Sequence, residues 1–148
     1  MTLTAAGLTV RAAHGSDADA VFALLGQLSQ SYAPERDAFD VTFESFVADD
    51  SYASLLVAED ADGVVRGYAL TTVTRLLYTN GNSAQLQELV VDEAVHGQGI
   101  GSALLEATER ECKSHGVRQL TVPSRRAAGF YERLGYRSTA DFLKRTFD

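Results

Sequence analysis

Hydrophobic and polar positions follow two periods along the chain. Apolar or β-branched runs predict strands at Leu8–Ala12, Ala53–Glu59, Val64–Leu76, Gln85–Val91, Val117–Val122, Tyr136–Ser138 and Asp141–Phe147. Apolar residues at helical spacing predict four helices: one from a Ser16 N-cap to near Ser31, then Val41–Asp49, Gly99–His115 and Arg126–Leu134. The order predicts one α/β domain over residues 1–148, with a mixed, largely antiparallel sheet of six to seven strands and about four helices on both faces.

Turn residues separate these elements. Asp60–Gly63 and Thr79–Asn82 are predicted turns, and Tyr32–Phe39 is a predicted loop. Asp19, three residues after Ser16, is the expected capping-box partner. Gly67 interrupts a long strand pattern, which indicates a bulge.

Composition and charge narrow the classes of function. The 148 residues carry a formal net charge of −7, which disfavours nucleic acid and anionic membranes as partners and mildly favours a cationic acceptor such as an amine. The one cysteine, Cys112, excludes an intrachain disulfide, and the three histidines have no metal-site spacing, so no metal is expected. No apolar run is long enough to span a bilayer, and the N-terminus lacks signal-peptide features, so a cytoplasmic location is expected.

The segment with the clearest chemistry joins the strand ending at Val91 to the helix beginning near Gly99. Gly97, Gly99 and Gly101 occupy alternate positions there. Backbone N–H groups at a helix N-terminus lack intrahelical partners and carry partial positive charge, so they can bind phosphate. The missing lysine after Gly101 excludes a P-loop, and the G-x-G-x-G spacing does not fit a Rossmann fingerprint.

Two motifs then indicate a family. His96–Gly101 resembles the acetyl-CoA pyrophosphate loop of the GNAT superfamily, Q/R-x-x-G-x-G/A, although His96 replaces the usual Gln or Arg. Ala127–Tyr136 resembles the family's A-x-x-F-Y-x-x-x-G-[FY] segment, and the resemblance extends over nearly the whole chain. Gln87–Val91 is most similar to small-amine acetyltransferases, including aminoalkylphosphonate N-acetyltransferases, whereas Ser124 stands where Asn is often found.

The resemblance implies an N-acetyltransferase that uses acetyl-CoA as cosubstrate and acetylates a primary amine of a small molecule directly. It implies that Tyr131 protonates the departing thiolate and that Glu88 lies at the acceptor side. The implied cofactor-binding set is Leu89, Val90, Val91, His96, Gly97, Gln98, Gly99, Ile100, Gly101 and Ser102. The oxyanion would be stabilised by a backbone N–H near Leu89 or Val90, and a homodimer stays open.

Alternatives accompany each interpretation. Glu88 shares a strand face with the apolar residues Leu86 and Val90, where an unpaired carboxylate is costly. Either it acts as a general base, or it is a structural or solvated residue that forms a salt bridge such as one to Arg75. Tyr131 is an acid or a packing residue, and Cys112 packs. Tyr32, Glu35 and Asp37 are specificity candidates, while Arg125 and Arg126 are solvated or reach the CoA 3′-phosphate. A peptide acetyltransferase and a non-catalytic acyl-CoA-binding module are the rival functions.

Overall fold

The structure is a computed structural model that describes residues 2–3, 7–28, 32–124 and 128–147. Its strands are β1 Thr2–Leu3, β2 Thr9–Ala12, β3 Ala53–Glu59, β4 Val65–Leu76, β5 Gly81–Val91 and β6 Gln119–Thr121. Its helices are α1 Ala18–Leu25, α2 Arg36–Ala48, α3 Ile100–Ser114 and α4 Ala128–Arg133, with 3₁₀ turns at Gly15–Asp17 and Glu93–Val95.

The strands form one sheet in the order of the sequence. Neighbours from β1 to β5 pair antiparallel, and β6 joins β5 in parallel after the crossover through α3. The β3–β4 hairpin follows the predicted turn, in which the Asp60 carboxylate accepts hydrogen bonds from the amides of Asp62 and Val64. The prediction of a mixed α/β fold is confirmed.

Alternate residues of the central strands belong to two separate hydrophobic clusters. Leu56 and Ala58 pack with α3, in what we call the α3 cluster: Leu8, Val10, Leu56, Ala58, Ala69, Leu86, Ile100, Leu104 and Leu105. Leu55 and Val57 pack with α1 and α2, in what we call the α2 cluster: Ala13, Val21, Leu24, Phe43, Leu55, Val57, Tyr68 and Val90. Since successive strand residues point to opposite faces, the two clusters lie on opposite sides of the sheet.

Two bulges interrupt the central ladders. In β4, the partner of Ala58 is Gly67 and the partner of Glu59 is Val65, so Arg66 is the extra residue beside the glycine predicted to mark a bulge. A Cβ on Gly67 would lie 2.8 Å from the Val90 carbonyl oxygen and 3.1 Å from Leu104, so only glycine admits α3 this close to the sheet.

The second bulge lies in β5. Leu86 pairs with Thr71 and Glu88 pairs with Leu70, so Gln87 is the extra residue. The bulge reverses the alternation of faces: Leu86 belongs to the α3 cluster, whereas Val90 belongs to the α2 cluster.

Strands β5 and β6 separate beyond a short contact. Their pairing covers Ser83–Gln85 against Gln119–Thr121, so among the described strands β5 has no partner on this side from Leu86 to Val91. The Asp92 N–H donates to the Arg66 carbonyl of β4 at 2.8 Å. Backbone polar groups alternate in direction along a strand, so the N–H and C=O groups of Leu89 and Val91 point to the unpaired side. We call this side of Leu86–Val91 the open edge of β5.

Several predicted boundaries are wrong. The first helix ends at Leu25, not near Ser31, and its N-cap is Asp17, not Ser16. Ser16 lies in the preceding 3₁₀ turn, where the His14 N–H donates to the Asp17 carboxylate at 2.7 Å. Asp19 is no capping partner but pairs with Arg36. Part of the predicted Tyr32–Phe39 loop is helical, because α2 begins at Arg36.

The two predicted closing strands are also wrong, because residues 136–147 contain no strand. Strand β6 is limited to Gln119–Thr121, shorter than predicted. Helix α4 is described from Ala128, and its predicted start at Arg126 lies outside the described residues.

Candidate active site

The loop before α3 is shaped by glycines in a left-handed conformation. Gly97 has φ +81° and Gly99, the N-cap of α3, has φ +82°, a region that side chains with a Cβ adopt only at a cost. A Cβ added at either residue would meet nothing within 4 Å, so both face open space. The first intrahelical bond runs from the Ala103 N–H to the Gly99 carbonyl, which leaves the amides of Ile100, Gly101 and Ser102 without helical acceptors.

Gly101 has a different role from Gly99. A Cβ at Gly101 would lie 3.6 Å from the Phe130 ring and 3.7 Å from Val91, in ordinary van der Waals contact. Its surroundings are therefore the packing between α3, β5 and α4, and not the open side of the loop. The family pattern, which allows Gly or Ala at this position, agrees with that environment.

His96 faces the strand that precedes it. Its Nε2 lies 2.9 Å from the Val91 carbonyl oxygen, so this nitrogen carries the proton and donates. The imidazole thus forms a hydrogen bond to one backbone carbonyl of the open edge, that of Val91, where the loop leaves the sheet.

A polar network fixes the start of this loop. Asp92 accepts hydrogen bonds from the Ala94 N–H at 3.1 Å and from Arg66 at 3.0 Å, and these bonds hold the pKa of its carboxyl below the usual range. The Gln27 side chain, just after α1, accepts the Glu93 N–H at 2.9 Å. The loop is therefore anchored to β4 and to the segment after α1.

Glu88 lies beside the bulge on the α1 and α2 side of the sheet. Its Oε1 accepts a hydrogen bond of 2.7 Å from the hydroxyl of the buried Tyr68. Burial and the neighbouring carboxylate raise the pKa of Tyr68 above its usual range, so the phenol stays protonated as a donor. The predicted sharing of a face with Leu86 is wrong because of the bulge, and the predicted alternative partner Arg75 instead lies opposite Asn82.

Glu88 also borders a cavity of about 290 Å³. The cavity lies between α1, α2 and strands β3 to β5. Its lining consists of Val21, Leu25, Pro34, Glu35, Ala38, Phe39, Thr42, Phe43, Phe46, Leu55, Tyr68, Leu70 and Glu88. Of the predicted specificity candidates, Glu35 lines the cavity, whereas Tyr32 and Asp37 do not.

Tyr131 lies on the other face of the sheet, packed against the α3 cluster. Its ring makes edge-on contacts with Phe130 and Tyr136, at centroid distances of 5.1 and 5.8 Å. Burial raises the pKa of the Tyr131 phenol. Tyr131 and Glu88 thus belong to opposite faces, with the open edge of β5 on the strand between them.

The remaining candidates fall outside this arrangement. Arg125 and Arg126 lie outside the described residues. Burial and the nearby Glu111 and Glu109 raise the pKa of the Cys112 thiol, which keeps it protonated. In the described ranges, no group of three or more His, Cys, Asp or Glu side chains could hold a metal ion, and no described helix has the length and apolar character needed to cross a bilayer.

Sequence reasoning missed Tyr68 and most of the cavity. In the sequence, Tyr68 is indistinguishable from any aromatic residue of a strand. Its contact with Glu88 depends on the register between β4 and β5. The cavity aromatics Phe43 and Phe46 carry a helical signal, but Phe39 was assigned to a loop. Glu35 is the N-cap of α2 but makes no side-chain capping hydrogen bond, and glutamate is not among the preferred N-cap residues, so the sequence gives no local sign of its position.

The chain resembles known acetyltransferases along most of its length. Residues 51–138, more than half of the chain, match the family model described as an acetyltransferase (GNAT) domain. A glucosamine 6-phosphate N-acetyltransferase of Arabidopsis thaliana is 24% identical over 128 residues, which covers 84% of this chain and 86% of that protein. A glucosamine 6-phosphate N-acetyltransferase of Oryza sativa subsp. japonica is 27% identical over 116 residues, covering 76% and 70%.

The fold comparison agrees with the sequence match. The crystal structure of glucosamine-6-phosphate N-acetyltransferase from Arabidopsis thaliana superimposes with a TM-score of 0.84 at 23% identity, covering 95% of this chain and 99% of that one. The family match includes the bulged strand, the glycine loop and the Tyr131 segment described above. The chain therefore belongs to the GNAT acetyltransferases and is an acetyl-CoA-dependent N-acetyltransferase.

Proposed function

We propose that this enzyme is one N-acetyltransferase domain over residues 1–148 that transfers the acetyl group directly from acetyl-CoA to a primary amine of a small molecule. The observation that carries the proposal is the position of Glu88. Its side chain lines a cavity that is partly open to solvent, and its backbone belongs to the β5 segment that carries the open edge. A carboxylate at that junction can accept a proton from an amine that meets a thioester there.

The cosubstrate fits the open edge and the glycine loop. The Leu89 carbonyl and the Val91 N–H point to the unpaired side and can pair with the amides of an extended pantetheine arm, as a further strand would. The Val91 carbonyl already accepts from His96. The amides of Ile100, Gly101 and Ser102 point from a helix N-terminus and can bind the pyrophosphate. Gly97, Gln98 and Gly99 form the loop around it, with two left-handed glycines facing open space.

The reaction then needs three groups of the protein. The neutral amine nitrogen forms a bond to the acetyl carbon, and Glu88 takes the amine's proton directly or through a water molecule. The Leu89 N–H is the better oxyanion donor of the two candidates, because the Val90 N–H points towards β4. As the C–S bond breaks, the electron pair stays on sulfur and Tyr131 donates a proton to the thiolate.

Direct transfer is supported over an acyl-enzyme. The single cysteine lies on α3, and its raised pKa disfavours the nucleophilic thiolate. The small-molecule acceptor is supported by the small volume of the cavity, about 290 Å³, and by the two relatives, whose names specify an amino sugar phosphate. The rival function, a non-catalytic acyl-CoA-binding module, needs neither Glu88 nor Tyr131.

Acetyl-CoA turnover with two classes of acceptor tests the proposal. Purified enzyme is incubated with acetyl-CoA and either small primary amines or peptides with free N-terminal and lysine amines. Release of CoA and the mass of the N-acetylated product are measured. We expect acetylated small amines; acetylation of peptides alone would contradict the small-molecule proposal, and no turnover of either class would favour the binding module.

A further inference from the structure

The walls of the cavity beside Glu88 are largely aliphatic and aromatic. Phe39, Phe43 and Phe46 line it from α2, and Leu55 and Leu70 line it from the sheet. The polar side-chain groups among its described lining residues are the carboxylates of Glu35 and Glu88 and the hydroxyls of Thr42 and Tyr68. The Tyr68 hydroxyl already donates to Glu88. Such a cavity can solvate an apolar body but few hydroxyl groups.

The charged side chains in the described lining of the cavity, Glu35 and Glu88, favour a cation. No Arg, Lys or His belongs to the part of its lining that the structure describes. Arg36 follows the lining residue Glu35 in the sequence, and its guanidinium forms ion pairs with Asp19 and Asp40 at 2.7 and 2.8 Å. It also lies 5.8 Å from the centre of the Phe39 ring, so its charge is already compensated.

We propose that the acceptor is a small primary amine with an apolar body and no anionic group, held with its amine towards Glu88. This inference rests on the proposed function and specifies its substrate class. A phosphate in this cavity would lie near the carboxylates of Glu35 and Glu88, which repel it, and would meet no basic side chain of the described lining. The volume, near the lower end for ligand pockets, suits an amine with a single ring or a short branched chain. The described lining therefore suits an apolar amine better than the amino sugar phosphate named for the relatives.

A panel of acceptors separates these classes. kcat/KM is measured from CoA release, with products checked by mass, for 2-phenylethylamine, isoamylamine, ethylamine, ethanolamine, glucosamine and glucosamine 6-phosphate. One extra methylene group in a hydrophobic pocket is typically worth about tenfold or more in kcat/KM. We expect 2-phenylethylamine or isoamylamine to exceed ethanolamine and glucosamine 6-phosphate by at least that factor.

A pair of neighbouring substitutions shows whether the cavity itself is the acceptor site. Thr42 is exposed and lines the cavity, so Thr42→Phe fills its space with a ring. Val41, the adjacent residue of α2, is 72% exposed and does not line the cavity, so Val41→Phe is the matched control. Thr42→Phe should lower kcat/KM for 2-phenylethylamine at least tenfold more than it lowers kcat/KM for ethylamine. Val41→Phe should leave kcat/KM unchanged for both amines.

A second pair tests the charge. Glu35→Gln removes a carboxylate from the cavity at the N-cap of α2, and Glu44→Gln makes the same charge change within α2, away from the cavity. Both glutamates are exposed, so both variants should fold. Glu35→Gln should raise KM for cationic amines, with a smaller effect at high salt, and Glu44→Gln should not.

The outcomes are distinct. If glucosamine 6-phosphate or ethanolamine is the best acceptor, or if Thr42→Phe and Val41→Phe behave alike, the apolar-amine inference is wrong while acetyl transfer to a small amine stands. If no amine of the panel is acetylated, the proposed function itself fails.

Discussion

Replacing Gly99 by alanine probes the loop before α3 most directly. At φ +82° an alanine is strained by roughly 1–2 kcal/mol, because its Cβ approaches the following carbonyl. That strain exists with or without ligand, so it lowers the melting temperature but cancels in the binding equilibrium. The added methyl group enters the open space on which the loop amides border. We expect a CoA affinity at least tenfold weaker, about 1.4 kcal/mol.

Gly116 supplies the control for this strain. It lies just after α3, has φ +73°, and would also place a Cβ in open space. Gly116→Ala should therefore lower the melting temperature by a similar amount, roughly 2–4 °C per kcal/mol, without changing CoA binding. Titration calorimetry and thermal unfolding of both variants give the comparison. Equal CoA dissociation constants in two folded variants would refute the assignment of the loop to the pyrophosphate.

Three further perturbations test the chemistry and the stability of the fold. Tyr131→Phe should lower kcat roughly 10- to 100-fold with little change in CoA affinity. The control Tyr136→Phe, which loses a hydrogen bond to Glu109, should lower the melting temperature and leave kcat unchanged. If Tyr131→Phe has the same kcat as the wild-type enzyme, Tyr131 takes no part in the mechanism. Glu88→Gln should reduce turnover most at low pH, where the amine is charged, and partly recover as pH rises; a wild-type pH–rate profile would leave Glu88 with a structural role. Asp17→Asn should lower the free energy of unfolding by roughly 1.5–3 kcal/mol at pH 7, the range for hydrogen bonds to charged groups, because Arg11 keeps its ion pair with Glu59. The difference should shrink in acid.

The sign of that last effect follows from the contacts of Asp17. Burial alone would raise its pKa, but two hydrogen bonds from Arg11 and one from the His14 N–H outweigh burial and lower it below the usual 3.8. A depressed folded pKa contributes stability above the unfolded value, and that stability is lost as pH falls through the folded value. Denaturant titrations at pH 7 and below pH 3 measure both limits; a difference independent of pH would contradict the ion pair's role.

The sequence was sufficient where local chemistry decides the structure. The hairpin turn at Asp60–Gly63, the bulge beside Gly67 and the helix after Gly99 each depend on residues within a few positions, and each is present as predicted. The family was also recognisable from short motifs. The roles given to Tyr131, Glu88 and the loop residues stay predictions, as do the cytoplasmic location and the homodimer.

The sequence was insufficient to predict features that depend on contacts between segments far apart in the chain. The face that Glu88 occupies depends on the bulge at Gln87, whose position is set by pairing with β4, and a one-residue slip exchanges the two faces. The alternation at 136–138 and 141–147 indicates strands, but a strand needs a neighbour to pair with. Ser16 has the residue type of an N-cap, yet Asp17 forms the hydrogen bond because Arg11 holds its carboxylate in place.

The open edge of β5 also affects the resistance of the protein to aggregation and proteolysis. Unpaired strand edges are templates for association with other chains, and an acyl-CoA lying along Leu86–Val91 would cover this one as a bound strand does. A ligand that binds only the folded state stabilises it by about 2.7 kcal/mol at one hundred times its dissociation constant. The lifetime of the enzyme in a cell would then depend on the supply of its own cosubstrate, with starvation exposing the edge to aggregation and proteolysis.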